Sequence, residues 1–255
     1  MQMLRLEQVS IGYTQRDGSH KTVVEDINAS LADHCLTCLI GVNGAGKSTL
    51  FRTLCGAIRP LSGQIFLENR VLSDFSRNER AQRISVVLTE RMQHQMLTVE
   101  ELVLLGRAPY TNFWGNPTEN DRAAVEKAMQ LTNISQMRAR EVSRLSDGER
   151  QKAFVAMALA QETPVILLDE PTAFLDYPSK IALYRMLNSL AKDAGKSILF
   201  STHDLDMALR ISDCVWYIDN KRLIAGTPTQ IRRLESLNRM LKNAEELDKN
   251  RPFHR

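Results

Sequence analysis

The sequence is poor in aromatic residues and carries little excess charge of either sign. Aromatic residues make up 6% of the 255 positions and apolar residues make up 43%, an ordinary share for a globular protein. The formal net charge is +3, from 33 basic and 30 acidic side chains. Proteins that bind nucleic acid usually carry a pronounced basic face or stripe. This charge balance therefore argues against nucleic acid as a partner.

Long apolar runs are also missing. The longest ones, such as residues 153–160, are about eight residues long, whereas a membrane-spanning helix needs ~20. Residues 1–10 hold one arginine among alternating apolar residues, which differs from the pattern of a secretory signal peptide. We therefore expect that the chain neither crosses a membrane nor starts with a signal peptide.

Cysteine is sparse, with four residues in the chain. Cys35 and Cys38 form a CxxC sequence, which occurs in zinc sites and in redox centres. No second pair of cysteine or histidine residues follows at ligand spacing, and residues 35–40 are typical of a buried strand. We favour ordinary core cysteines in a reducing compartment over either kind of site.

Strand and helix patterns alternate along most of the chain. Strand patterns occupy residues 3–13, 35–40, 63–68, 83–88, 165–169, 197–201 and 214–218. Helical patterns that follow some of these strands occupy residues 46–56, 178–194 and 205–211. This alternation predicts an α/β fold with a mainly parallel sheet and helices on its faces. Helical patterns at 98–105, 118–131 and 146–161 predict a helical subdomain inserted into that fold.

Residues 41–48 read Gly-Val-Asn-Gly-Ala-Gly-Lys-Ser, which fits the phosphate-binding P-loop pattern. Glycines let the backbone curl so that N–H groups point at phosphate oxygens, and the helix behind them adds its positive dipole end. Lys47 is expected to reach the β- and γ-phosphates, and the Ser48 hydroxyl is expected to bind Mg²⁺. The predicted nucleotide-binding residues here are Gly41, Asn43, Gly44, Ala45, Gly46, Lys47, Ser48 and Thr49. An ordinary glycine-rich turn is the alternative, but the strand before the motif and the helix after it favour the P-loop.

Two carboxylates follow the apolar strand at residues 165–169. In P-loop nucleotide hydrolases an Asp in this setting, here Asp169, helps to hold the metal ion. Glu170, the next residue, could accept a proton from an attacking water molecule. An apolar strand that ends in Asp-Glu is common by itself, and its combination with a P-loop is what favours these roles.

Residues 145–151 read Leu-Ser-Asp-Gly-Glu-Arg-Gln. Ser146 and Glu149 form a capping-box pattern for a helix N-terminus. A capping box does not account for Gly148 at the helix entrance, where a bare N-terminus can also bind an anion. The run resembles the LSGGQ signature of ABC ATPases, and we use the name signature for these residues below.

Further ABC ATPase motifs occur in the same order as in that family. Residues 171–176 resemble the D-loop, in which Asp176 would contact a second subunit. His203 in Ser-Thr-His-Asp resembles the switch histidine, and Tyr13 lies where the family has an aromatic residue that stacks on adenine. Taken alone, the alternative for His203 is an ordinary polar residue at a strand end, and the alternative for Tyr13 is a core aromatic residue. The resemblance covers residues 3–230, nearly the whole chain.

This resemblance implies a P-loop NTPase core with an N-terminal antiparallel β portion and an inserted helical subdomain. The predicted ATPase domain covers residues 1–235. Within it, the RecA-like core would comprise about residues 1–89 and 162–235, and the helical subdomain about residues 90–161. A helical tail at residues 236–255 would follow.

The resemblance also implies a head-to-tail homodimer that binds ATP and Mg²⁺. Each ATP would lie between one copy and the signature of the other, which would contribute Ser146, Gly148 and Glu149. Glu170 would be the general base, His203 would contact the γ-phosphate, and Lys47 would bind the phosphates. ATP-driven closure would act on two integral-membrane permease subunits. An extracytoplasmic substrate-binding protein would deliver the substrate to these subunits. The chain would then lie at the cytoplasmic face of the membrane.

Three positions depart from the common ABC pattern. Asp147 replaces a glycine of the signature and Glu149 replaces a glutamine, so the signature is unusually acidic. Glu90 aligns with the Q-loop glutamine and would contact Mg²⁺, although Gln93 and Gln95 are alternatives for that role.

The pattern over residues 98–110 and 121–128 resembles the ATPases of iron-siderophore, haem and cobalamin importers, and residues 226–228 fit the same group. Other importers share the Thr-Val-x-Glu sequence, so an importer for a different substrate is the alternative. A soluble ABC ATPase that acts on ribosomes or DNA is a further alternative, which the single cassette and the lack of a long heptad pattern disfavour. The aromatic loop at 109–117 would face the permease or pack on its own subdomain.

Overall fold

The structure is a computed structural model that describes residues 2–15, 17–88, 96–111, 116–235 and 237. Some predictions fall outside these residues and stay predictions. They concern Glu90 as a metal ligand, its alternatives Gln93 and Gln95, the centre of the aromatic loop at 112–115, and the tail at 236–255 apart from residue 237.

The strands of the described residues form two sheets. The first sheet is antiparallel, with the order β2-β1-β4-β5. Its strands are β1 (Gln2–Thr14), β2 (His20–Ala32), β4 (Ser62–Leu67) and β5 (Arg70–Val71). It is the antiparallel β portion that the family resemblance implied.

The second sheet has the order β10-β9-β3-β8-β7-β6. All neighbours from β9 to β6 pair in parallel, and β10 pairs antiparallel with β9 at the edge. The mainly parallel sheet predicted from the alternating pattern is therefore confirmed. Its strands are β3 (Leu36–Gly41), β6 (Ile84–Val87), β7 (Val165–Leu168), β8 (Ser197–Ser201), β9 (Cys214–Asp219) and β10 (Arg222–Gly226).

The sequence pattern did not predict strand β2. The buried residue Val24 of this strand has an even number, whereas the buried residues from Ile27 onward have odd numbers. The change occurs because Asp26 has a φ of +50° and the pairing with β1 shifts register beside it. A strand without such an irregularity shows an alternation of period two. The bulge at Asp26 breaks that alternation, so the periodic signal is lost although the strand is long.

Eight α-helices lie within the described residues. They are α1 (Lys47–Leu54), α2 (Arg77–Ala81), α3 (Val99–Leu104), α4 (Glu119–Leu131), α5 (Asp147–Ala160), α6 (Tyr177–Lys192), α7 (Leu205–Ile211) and α8 (Pro228–Arg232). The predicted helices match α1 and α3 to α7 within about two residues, which is the usual uncertainty of helix ends. In the part of the chain that the structure describes, no helix combines the length and the apolar character needed to span a bilayer.

The parallel sheet is buried on both faces. In β7, Ile166 and Leu168 pack in a cluster with helices α3 to α6, whereas Val165 and Leu167 pack in a second cluster with α1 and the antiparallel sheet. Strands covered on both faces are apolar at every position, which explains the continuous apolar run of residues 165–168. The helices α3, α4 and α5 belong to the first cluster, so they share one core with the sheet. The limits predicted for the helical subdomain stay a prediction.

The cysteines have ordinary positions in this core. Cys38 is fully buried in β3, and Cys35 precedes the strand at a half-buried position. Burial raises the pKa of both thiols, which keeps them in the less reactive protonated form.

Candidate functional site

The site lies at the edge of the parallel sheet where the strands end. Strands β3, β8 and β7 are neighbours and run in the same direction, so their carboxyl ends meet at this edge. The turn at residues 41–46 follows β3, Asp169 follows β7 and His203 lies just after β8. Ligands of open parallel α/β sheets bind outside these carboxyl ends.

The turn between β3 and α1 is built on backbone conformations that favour glycine. Gly44 and Gly46 have φ of +78° and +111°, in the left-handed region where a side chain is strained. At Gly46 an added Cβ would also lie 2.5 Å from Val23 Cγ1. Gly46 is the N-cap of α1 without a side-chain capping bond, so the first N–H groups of the helix are not capped by the residue before it. Such a helix start binds anions.

Lys47 is held at the base of this turn. Its Nζ donates to the carbonyl of Gly41 at 2.8 Å and contacts the carbonyl of Val42 at 3.4 Å. Only 6% of the residue is exposed, and this burial lowers the pKa of Lys47 while the nearby Glu170 and Asp169 oppose the change. The lysine is therefore a preoriented cation beside two carboxylates.

Asp169 connects the P-loop helix with strand β8. The Ser48 hydroxyl donates to Asp169 Oδ2 at 2.8 Å, and the Ser201 hydroxyl donates to Asp169 Oδ1 at 2.7 Å. Ser201 Oγ also accepts the backbone N–H of Glu170 at 2.8 Å. Hydroxyl and carboxylate oxygens are ligands that Mg²⁺ prefers, so Ser48 and Asp169 fit the predicted metal site. No sequence motif assigns a role to Ser201, which is marked only by its place at the end of a buried strand.

Glu170 and His203 are in contact. His203 Nε2 lies 2.5 Å from Glu170 Oε1, and both side chains are partly exposed. Glu170 has a φ of +50°, a conformation that is uncommon for a residue with a side chain and clusters at functional sites. The predicted base and the predicted switch histidine therefore share one end of the site.

Tyr13 lies beside the P-loop helix. Its hydroxyl is 2.8 Å from Thr49 Oγ1, and 42% of the residue remains exposed. The predicted stacking residue is thus tethered next to the phosphate-binding turn with part of its ring open to solvent. Of the other predicted residues in the turn, Asn43 and Gly44 are exposed and Ala45 closes the turn by donating its N–H to Val42 at 3.1 Å.

The signature residues form the N-terminus of α5. Ser146 Oγ accepts the N–H of Glu149 at 3.3 Å, and Glu149 Oε2 accepts the N–H of Ser146 at 2.8 Å, which is the predicted capping box. These bonds lower the pKa of Glu149, with the backbone bond from Ser146 as the main cause. Arg140 lies 3.5 Å from the same carboxylate. Glu149 is therefore a cap of its own helix in this chain.

Asp147 forms an ion pair with Arg150 one turn further along α5. The extra negative charge of the signature is thus compensated locally. Gly148 faces α6, where an added Cβ would lie 3.2 Å from Ser179 Oγ. Asp176 caps α6 by accepting the N–H of Ser179 at 3.0 Å, and its predicted contact with a second subunit stays a prediction.

A phosphate-binding turn at the end of one strand of a parallel sheet, with a carboxylate pair at the end of a second strand two places along the same sheet, defines a P-loop nucleotide hydrolase. The sequence profile of the ABC transporter family matches residues 24–173. The chain belongs to that family, as one of its ATP-binding and ATP-hydrolysing subunits.

Two named relatives are similar in sequence to this chain over more than nine tenths of its length. It is 38% identical over 245 residues to the uncharacterized ABC transporter ATP-binding protein MJ0873 of Methanocaldococcus jannaschii, which covers 95% of this chain and 83% of the relative. It is 36% identical over 238 residues to the ferric enterobactin transport ATP-binding protein FepC of Escherichia coli, which covers 93% and 86%. A solved structure of a putative metal-chelate type ABC transporter in an inward-facing conformation matches with a TM-score of 0.78 and 26% identity, over 91% of this chain and 85% of that one.

Proposed function

We propose that this chain powers an importer for a metal chelate, of the iron-siderophore, haem or cobalamin class. The observation that carries the ATPase part is the convergence of Lys47, Asp169 and Glu170 at one sheet edge. The cargo class is supported by the transport role in the name of FepC and by the description of the structural neighbour as a metal-chelate type transporter.

In the proposed reaction the phosphates bind in the turn between β3 and α1. Backbone N–H groups and the start of α1 face the phosphate oxygens, and Lys47 neutralises part of their charge. Ser48 and Asp169 would hold Mg²⁺, which when bound neutralises the charge that develops on the β- and γ-phosphate oxygens.

Glu170 is proposed as the general base. It accepts one proton from water while the water oxygen forms a bond to the γ-phosphorus and the bond to the β-phosphate oxygen breaks, which yields ADP and phosphate. His203, in contact with Glu170, would orient that carboxylate and reach the γ-phosphate.

The signature would complete the site in a second copy of the chain. Ser146 and Gly148 lie at the N-terminus of α5, a helix start that can bind an anion. In the proposed homodimer they meet the ATP of the partner copy, so ATP shifts the pair towards the closed form through its higher affinity for that form. Closing and opening of the dimer at the cytoplasmic face of the membrane would then drive two permease subunits. An extracytoplasmic binding protein would deliver the chelate to these subunits.

The test is uptake by cells in which this chain is replaced by Lys47→Ala. Radiolabelled ferric siderophore, haem and cobalamin are offered separately, and Lys127→Ala, an exposed lysine on α4, is the matched control. We expect uptake of one of the three to depend on Lys47 and to be unaffected by the control variant. If uptake of all three persists in Lys47→Ala cells while the purified variant has lost its ATPase activity, the cargo class is wrong.

A further inference from the structure

Arg107 is a buried cation that the proposed mechanism does not use. It ends a short 3₁₀ turn (Leu105–Arg107) after α3, and only 4% of the residue is exposed. Its guanidinium donates to Asp121 Oδ1, to the carbonyl of Ala160 and to Glu162 Oε2, at 2.8, 2.7 and 2.8 Å. The same guanidinium stacks on the ring of Tyr110 at 4.1 Å. These five residues are called the Arg107 cluster below.

The partners of Arg107 come from three different elements. Asp121 lies in the first turn of α4, where its other oxygen accepts the N–H and the hydroxyl of Thr118 at 2.9 and 2.7 Å. Ala160 is the last residue of α5, and Glu162 lies in the turn from α5 to β7. Lysine has no planar fork that could hold separate acceptors in this way, so the arrangement is specific to arginine.

The cluster fixes the C-terminal end of α5. The last carbonyls of a helix have no partner within the helix, and a cation placed there also interacts favourably with the helix dipole. The turn that carries Arg107 lies directly against α5, because an added Cβ at Gly106 would be 2.1 Å from the carbonyl of Met157. Arg107 therefore holds the helix end against a turn that packs on it.

The cluster is also joined to the parallel sheet. The Tyr110 hydroxyl donates to the carbonyl of Gln161 at 2.9 Å, and Gln161 Nε2 contacts the carbonyl of Ile84, the first residue of β6, at 3.2 Å. Gln82 Nε2 in turn donates to the carbonyl of Pro109 at 3.3 Å. One end of α5 is thus fixed to the sheet, and the opposite end carries the signature.

We propose that Arg107 is a positioning residue of the ATPase cycle, which sets the direction in which α5 presents Ser146 and Gly148 to the ATP of a second copy. The inference rests on the proposed function. An α-helix rises about 1.5 Å per residue, so the 14 residues of α5 span about 21 Å. A tilt of about 5° at the clustered end moves the signature by about 2 Å, which is enough to break a hydrogen bond to a phosphate.

The experiment measures ATP-dependent dimerisation in a Glu170→Gln parent, in which bound ATP persists. Arg107→Lys keeps the charge but loses the planar fork, and Arg138→Lys is the matched control because Arg138 pairs with Glu126 on the surface of the same subdomain. Three quantities are compared: the melting temperature, the Kd of monomer for a fluorescent ATP analogue, and the dimer Kd in Mg-ATP by sedimentation.

For Arg107→Lys we expect a lower melting temperature, because an ammonium cannot bond to all three acceptors, but a variant that stays folded at the assay temperature. The monomer Kd for nucleotide should stay within about twofold of the parent, because the P-loop lies at the carboxyl ends of the strands whereas Ala160 and Glu162 precede the start of β7. The dimer Kd is expected to rise at least tenfold, and Arg138→Lys should leave it unchanged. If Arg107→Lys does not fold, Glu162→Gln, whose side chain is 52% exposed, replaces it with an expected threefold rise.

Unchanged dimerisation of the folded variant overturns the inference. Equal weakening of the monomer's nucleotide binding and of dimerisation also overturns it, because this would indicate a general loss of structure. If the Glu170→Gln parent itself forms no dimer with Mg-ATP, the proposed function fails instead, and this outcome is recognised before any Arg107 variant is tested.

Discussion

His203 Nε2 and Glu170 Oε1 are 2.5 Å apart, so the imidazole directly orients the carboxylate proposed as general base. Strand ends position both residues, since Glu170 follows β7 by two positions and His203 follows β8 by two. The backbone N–H of Glu170 is bound in addition by Ser201, the last residue of β8. The two adjacent strands therefore set the geometry of the proposed base.

His203→Ala should slow hydrolysis strongly and leave nucleotide binding by the P-loop intact. A positioned acid or base contributes about 10²–10⁴-fold to rate, and a base that has lost its orienting partner should lose about 10²-fold of that. Steady-state phosphate release at saturating Mg-ATP measures the effect. His20→Ala, which changes an exposed histidine in β2, is the control and should retain the full rate. A His203→Ala rate within about threefold of the wild type would contradict the orienting role.

Ser201→Ala should weaken both the fold and the metal site. The substitution removes the acceptor of the Glu170 N–H and one donor to Asp169, and an unsatisfied buried N–H costs about 1–3 kcal/mol. We expect a lower free energy of unfolding by that amount in urea, and a higher Mg²⁺ concentration for half-maximal ATPase activity.

Ser197→Ala at the other end of β8 is the control for Ser201. Its hydroxyl is bonded to the N–H of His34 at 3.2 Å, away from the site. This variant should lose some stability but keep the Mg²⁺ dependence of the wild type. Equal shifts of Mg²⁺ dependence in both variants would rule out a specific role of Ser201.

Asp147→Asn tests the acidic signature. Arg150 compensates Asp147, but 55% of the Asp147 side chain is exposed and its carboxylate would still face a triphosphate in a closed dimer. We expect a lower KM for ATP in the variant at low ionic strength. The difference should vanish at about 1 M salt, where exposed charges are screened beyond about 3 Å. Identical KM values for variant and wild type at low salt would show that Asp147 points away from the nucleotide.

Asp121 should contribute stability that depends on pH. The hydrogen bond from Arg107 is the main reason why its pKa is lowered from 3.8 to about 2. Because the folded value lies below the unfolded one, the stabilisation is fully present above pH 3.8 and is lost as the pH falls through about 2. The difference in unfolding free energy between wild type and Asp121→Asn should therefore shrink in acid.

Near neutral pH that difference should be about 3 kcal/mol, since Arg107 loses a buried partner. Urea unfolding curves over the acid range measure it. Glu126→Gln removes the half-exposed partner of Arg138 and should change the free energy of unfolding by less than about 1 kcal/mol. A difference for Asp121→Asn that is constant with pH would contradict the assignment of the low pKa to the Arg107 contact.

The parts of the site that could be predicted are those whose residues lie close together in the sequence. Residues 41–48 and 165–170 each combine an element with the residues at its end, so the local pattern implied both the backbone and the position of the side chains. The parallel sheet then brought Lys47 and Asp169 to the same edge, as parallel strands require.

The parts that were missed depend on contacts distant in sequence or on an irregular backbone. Ser201 binds Asp169 across 32 positions, and Arg107 binds Ala160 across 53, distances at which no local pattern exists. The left-handed backbone of Asp26 interrupts the period-two alternation of β2, so the sequence of this strand lacks the usual strand pattern. The ion pair between Arg140 and Glu149 likewise depends on the fold of the segment before α5, which brings Arg140 to the start of that helix.

The most direct test of the proposed ATPase site is Glu170→Gln in purified protein with Mg-ATP. Glutamine keeps the size of the side chain but cannot accept the proton of the attacking water. We predict that steady-state hydrolysis falls by about 10²–10⁴-fold and that a dimer accumulates in sedimentation when Mg-ATP is present and dissociates when it is removed. Hydrolysis at the wild-type rate in this variant, with no ATP-dependent dimer, would contradict the proposed role of Glu170 and the shared site.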